Sequence, residues 1–172
     1  MDSAAHLFLE YSVRKLRQLN ARIEDCLGRL DDNQVWARGS ANENAVGNLV
    51  LHLSGNVRQW IVAGVGGQPD IRRRDTEFAA QGGLAASGLA KELHGTVEEA
   101  AAAIEKLAPE SLAGRLTIQG YDVTVLEAIY AVVEHFSGHS GQIVYATKML
   151  TGEDLGYYKY LTKTAPHTAQ TP

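Results

Sequence analysis

The chain has 172 residues, 45% of them apolar, and carries a net charge of −4 with an isoelectric point near 5.8. That length can bury a core without staples, the apolar content excludes a globally disordered chain, and the acidity leaves no electrostatic footprint for nucleic acid. A lone cysteine, Cys26, rules out an intramolecular disulfide and any multi-cysteine zinc or iron–sulfur site.

Leu9, Val13, Leu16, Ile23, Leu27 and Leu30 recur at helical spacing and predict a first helix over residues 3–30, interrupted only by Asn20 in the same phase. Cys26 falls beside Ile23, Leu27 and Leu30 and so reads as a buried structural thiol. Asp31-Asp32-Asn33 ends this helix, and a loop carrying Trp36 follows. Ser40 and Glu43 have the spacing of a capping box for a second helix over 42–63. One face of that helix is polar: measured from His52, Asn48 lies about 40° to one side, Asn56 about 40° to the other, and Gln59 about 20° away. Unpaired buried amides cost about 1–3 kcal/mol each, so this face either meets water or lines a polar interior. Gly64, Gly66, Gly67 and Pro69 stop the helix.

Residues 65–86 form a long connection, glycine-rich at both ends around IRRRDTEFA, as expected of a crossover or a lid. Its basic run, Arg72 to Arg74, is bracketed by Asp70, Asp75 and Glu77 and reads as a locally neutralised loop, not a phosphate site. Ala90, Leu93, Val97, Ala100, Ile104 and Leu107 predict a third helix over 87–108, closed by Pro109, with His94 at its boundary or surface. Arg115–Ile118 and Tyr121–Val123 flank Gln119-Gly120, a hairpin signal. Thr124 and Glu127 cap a last helix reaching about Leu150 and stopped by Gly152. Gly138 and Gly141 within it read as points of close helix packing, or else as space for a ligand. The aromatic run Tyr157 to Leu161 is expected to pack back on the helices, and the Thr/Pro-rich residues 162–172 to be disordered. Residues 1–161 therefore read as one all-α domain, a four-helix bundle with a short β-hairpin before its last helix.

His135 and His139 stand four apart, which stacks their imidazoles on one helix face. His52 on its amide-lined face supplies a third. A lone core histidine is commonly satisfied by a neighbouring amide, but this trio points to a divalent metal ion. Asn48, Asn56, Gln59 and Gln142 are then candidates to orient the imidazoles or a substrate. A zinc-protease helix needs H-E-x-x-H, and Phe136 stands where its glutamate would be. Di-iron bundles need Glu-x-x-His, and the corresponding positions hold Leu49, Val132 and Phe136. A mononuclear three-histidine site with open positions remains. No side chain stands out as its acid or base; Glu134 points about 140° away from His139.

NAVGNLVLHLSGNVRQWI around His52, RRRDTEF in the connection and EHFSGHSGQIVYATKML around the histidine pair resemble the DinB-like superfamily of metal-binding four-helix bundles. The resemblance covers nearly the whole chain and lies with a branch classed as a domain of unknown function. It implies an up-down-down-up bundle whose long crossover joins helices two and three, and a divalent metal, zinc or nickel, held by His52, His135 and His139. Relatives include S-transferases and isomerases that use bacillithiol, mycothiol or glutathione, and many form homodimers. The expectation is a metal-dependent S-transferase acting on a small thiol and an electrophile. The alternatives are a metal-dependent hydrolase with metal-bound water as nucleophile, or a non-enzymatic metal- or ligand-binding bundle. The start MDSAAHLFLE lacks the basic region of a signal peptide, and no apolar run approaches the ~20 residues of a membrane span, so a cytoplasmic protein without membrane partners is expected.

Overall fold

The computed structural model describes residues 3–159. Helix α1 (Ala4–Leu27) starts where the Ser3 hydroxyl accepts the His6 N–H, and its apolar stripe is buried from Leu9 to Leu27. It ends earlier than its periodicity suggests because the chain tightens, with Arg29 and Leu30 bonding carbonyls only three residues back. The expected loop then contains a four-residue helix, α2 (Asp32–Val35), closed reciprocally by Asp31 and Gln34. A helix that short shows no period to read.

Helix α3 (Val46–Val57) begins later than Ser40 and Glu43 suggested. Glu43 instead bonds the Gly39 N–H, and the true cap is the Asn48 side chain reaching back to the Ala45 N–H at 3.1 Å. Beyond Val57 the same helix widens into π-helical turns over Arg58–Val65. The long connection is not structureless: it folds into α4 (Arg74–Ala79). Helix α5 (Ala86–Glu105) follows, then a 3₁₀ turn at Pro109–Ala113.

The hairpin forms as its sequence demands. Strands β1 (Arg115–Ile118) and β2 (Tyr121–Thr124) pair antiparallel, with Gln119 and Gly120 both at positive φ, 53° and 81°. Helix α6 (Val125–Thr151) carries the reciprocal Thr124–Glu127 cap and stops at Gly152, at φ 70°.

Helix α1 packs chiefly on α5 and α6, and α3 with its π-helical continuation packs on the same two. The result is an all-α bundle with a small hairpin at its side. Leu16, Ile23, Leu53, Ile61, Leu93, Ile104, Ile129, Phe136 and Ile143 are fully buried in one core. Cys26 is fully buried too, against the hydroxyl of Tyr157, which also donates to Asp25 at 2.7 Å. Tyr160, Leu161 and the tail expected to be disordered lie outside the described residues. Gly138 and Gly141 are exposed, and a methyl group at either would meet nothing within 4 Å. Close packing among the described residues therefore does not explain them. Among the described residues no helix is long and apolar enough to cross a membrane.

Candidate metal centre

The bundle brings the imidazole of His52 on α3 against those of His135 and His139 on α6. One ring nitrogen from each lies within 4.8 Å of the others. The Nε2 atoms of His52 and His135 are 2.9 Å apart, and the three rings meet edge-on with centroids 4.4–5.1 Å apart. The one-turn spacing on α6 supplies two of the imidazoles, and the packing of α3 against α6 brings the third to them. Two nitrogens on one tetrahedral zinc stand about 3.4 Å apart, so these spacings bracket what a metal needs.

The other nitrogen of two rings is engaged. Gln142 Oε1 lies 2.6 Å from His139 Nδ1, and Glu77 Oε2 lies 3.0 Å from His52 Nδ1. With each Nδ1–H donating to that oxygen, Nε2 is left for an ion. Glu77 comes from α4 and is itself held by Arg72, whose Nε donates to Oε1 at 2.7 Å and Nη2 to Oε2 at 2.9 Å. Both side chains of this ion pair are buried, Arg72 at 3% exposure and Glu77 at 8%. Room for them exists because residue 55 is glycine: a Cβ there would lie 2.8 Å from the Glu77 carboxyl carbon and 3.0 Å from Arg72 Nε. Phe78, with Arg74 over its ring, closes the same side at 4.8 Å from the His52 ring.

The segment from Arg72 to Ala80 thus lies as a strap on α3, and the remaining amides act around it more than on the histidines. Asn48 is fully buried and donates to the carbonyls of Glu77 and Ala80 at 2.9 and 2.8 Å, while its oxygen takes Arg38 and the Ala45 N–H. It orients the strap, not an imidazole. Gln59 accepts from Arg72 Nη1 at 2.9 Å and from Gln119, and donates to Asp70 at 2.7 Å, tying strap to hairpin. Gln59 lies in the π-helical turns and reaches His52 through Arg72. Asn56 Oδ1 is buried and has no hydrogen-bond partner among the described residues. Of the four amides, Gln142 contacts a histidine of the trio. His94 is exposed and pairs with Glu24, away from the trio.

Arg72 and Glu77 are functional candidates that the periodicity could not expose. Their run reads as a locally neutralised loop, and the local hint is a glycine in mid-helix among amides.

Burial holds the His52 imidazole below its ordinary pKa, against the opposing pull of its bond to Glu77. Burial, with the charges of His139, His52 and Arg72, pushes His135 down from 6.5 to about 4. The ligand nitrogens of both rings are therefore unprotonated at neutral pH, as metal binding requires. The donor set is compatible with a divalent ion that has affinity for imidazole. These shifts also set the behaviour of the metal-free protein. An unfolded chain protonates His135 below pH 6.5 while the folded one resists until about 4, so the stability linked to this ring is full above that window and falls as pH drops through it. In chelator the helical signal should persist at neutral pH, since the apolar core is independent of the ion, and the melting temperature should fall between pH 6.5 and 4. Unfolding in chelator at neutral pH, or a flat profile across the window, would contradict this.

No curated protein matches the sequence. A solved structure of a conserved protein from Enterococcus faecalis superposes with a TM-score of 0.71 at 16% identity, covering 84% of this chain and 97% of that one. At that identity the likeness is one of fold. The sequence itself matches a family described as "Protein of unknown function (DUF1572)" over residues 3–163, and the chain belongs to that family.

Proposed function

We propose that the protein is a DinB-like, up-down-down-up bundle that holds zinc or nickel through His52, His135 and His139 and serves as a thiol-dependent S-transferase. The observation that carries this reading is the donor set: three imidazole nitrogens within 4.8 Å of one another and, among the described residues, no carboxylate with them. Neutral ligands leave the ion's charge for whatever else it binds. When bound, the ion favours a small thiol in its thiolate form, lowering the thiol pKa.

The chain's own residues then supply orientation and shielding. Glu77 and Gln142 hold two rings in place, and Phe78 closes the His52 side. His135 and His139 are only partly buried, so their side is where a thiol and an electrophile can approach. The sulfur lone pair forms the new bond to the electrophile's carbon as that carbon's bond to its leaving group breaks; the leaving group departs with that electron pair, and the thiol proton leaves to solvent. Hydrolysis at the same site fits less well. It would want a free carboxylate as base, and Glu77 is already spent on Arg72 and His52. Bacillithiol, mycothiol and glutathione are the thiols of this reading. It also includes a homodimer, for which α6 offers the exposed Tyr130, Tyr145 and Met149.

A thermal-shift series tests the proposal. Zinc or nickel should raise the melting temperature of chelator-treated protein, and one of the three thiols should raise it further only when metal is present. If no thiol adds to the metal-loaded protein's stability, the transferase reading fails and a metal-binding bundle is left.

A further inference from the structure

A buried ion pair is poor value as a source of stability, because apolar residues of the same volume commonly do as well or better. The other arginine–carboxylate contacts support that contrast: Arg17 with Glu98 sits 44% and 42% exposed, whereas Arg72 with Glu77 sits at 3% and 8%. What the buried pair touches is a ligand. Glu77 Oε2 is 3.0 Å from His52 Nδ1, and Arg72 Nη2 is 3.1 Å from the same nitrogen. The pair is also anchored independently of the histidines, through Gln59 on one side and through the Asn48 amide bonded to the Glu77 carbonyl on the other. Gly55 leaves its space free.

We propose that the Arg72–Glu77 pair positions His52 for the metal and cancels the carboxylate's charge, so that the centre takes an anion in its open position. The inference rests on the metal-site reading above. Its two halves have separate physical causes. The carboxylate fixes the His52 tautomer with Nε2 toward His135 and makes the ring a better ligand. An unpaired carboxylate in that contact would also offset half the charge of a divalent ion and weaken its hold on a thiolate. The guanidinium, bonded through both Nε and Nη2, restores that charge without touching the ion's side of the ring.

Cobalt(II) added to chelator-treated protein, followed by its visible spectrum, and azide added to the cobalt form separate these effects. The variants are Glu77→Gln, which keeps the shape and leaves Arg72 uncompensated, and the double variant Arg72→Met with Glu77→Gln, which removes both charges. Circular dichroism checks that each is folded. Glu77→Gln should lower cobalt affinity about 10- to 100-fold, the usual effect of losing a carboxylate behind a ligating histidine. Azide should then bind Glu77→Gln about tenfold more tightly than it binds the double variant, since one added positive charge stands close to the ion. The double variant should bind azide as the unaltered protein does. Equal cobalt affinity in the unaltered protein and Glu77→Gln would sink the positioning half. Equal azide affinity in the two variants would sink the charge half. If the unaltered protein takes up no cobalt, the metal-site reading falls and this proposal falls with it.

Discussion

Alanine at His139 should abolish stoichiometric metal binding, while alanine at His94 should leave it unchanged. His139 stands one turn beyond His135 on α6, with its Nδ1 occupied by Gln142 at 2.6 Å and its other nitrogen within the ligand cluster. Without it, the ion would be held by one nitrogen from α3 and one from α6. A three- or four-ligand zinc site binds with about 10–16 kcal/mol in total, so each ligand is worth roughly 3 kcal/mol, more than a hundredfold in affinity. His94 makes a useful control because it is chemically the same group in an ordinary setting. Its side chain is 58% exposed and bonds Glu24 across α1 and α5. Metal content after gel filtration, measured by elemental analysis, gives the answer directly. The helical signal should be the same in both variants, since His139 is only partly buried and lies outside the apolar core. An unaltered metal content in the His139 variant would overturn the ligand assignment.

The parts of this structure that were readable in advance are those governed by local rules. The stripe from Leu9 to Leu27, the Thr124–Glu127 cap, the Gln119-Gly120 turn and the Gly152 stop each follow from spacing or from one residue's backbone preference. The histidine trio was readable because i, i+4 geometry fixes one pair and an amide-lined face marks the third member. What could not be read depends on contacts across the chain. Arg72 and Glu77 sit in a connection without helical period, and their burial is decided by Gly55 and Asn48 on another element. The π-helical turns after Val57 likewise have no signature in the apolar pattern. Ser40 and Glu43 matched a capping pattern, yet Asn48 outcompeted them for the helix start by serving cap and strap at once.

Gly55→Ala and Gly141→Ala should change stability in opposite directions. Both glycines lie inside helices, where alanine is ordinarily better by about 0.5–1 kcal/mol. Gly141 is exposed on α6 with nothing within 4 Å of the new methyl, so it should show that ordinary gain. At Gly55 the methyl would land on the Glu77 carboxylate, with Arg72 Nε 3.0 Å away. A flexible surface glutamate would swing aside at little cost. Glu77 cannot, because two bonds from Arg72 and one contact with His52 fix both of its oxygens in an enclosed site. The methyl must therefore push the strap off α3, for an overpacking cost of about 1–3 kcal/mol that outweighs the helical gain. Displacing Glu77 also frees the His52 ring to rotate, so metal affinity should fall at least tenfold although residue 55 touches no ligand nitrogen. Chemical denaturation of the metal-free variants measures the first effect, and metal titration the second. If Gly55→Ala stabilises the protein as Gly141→Ala does, the strap does not press on α3 in solution, and the tautomer of His52 must be set by something other than Glu77.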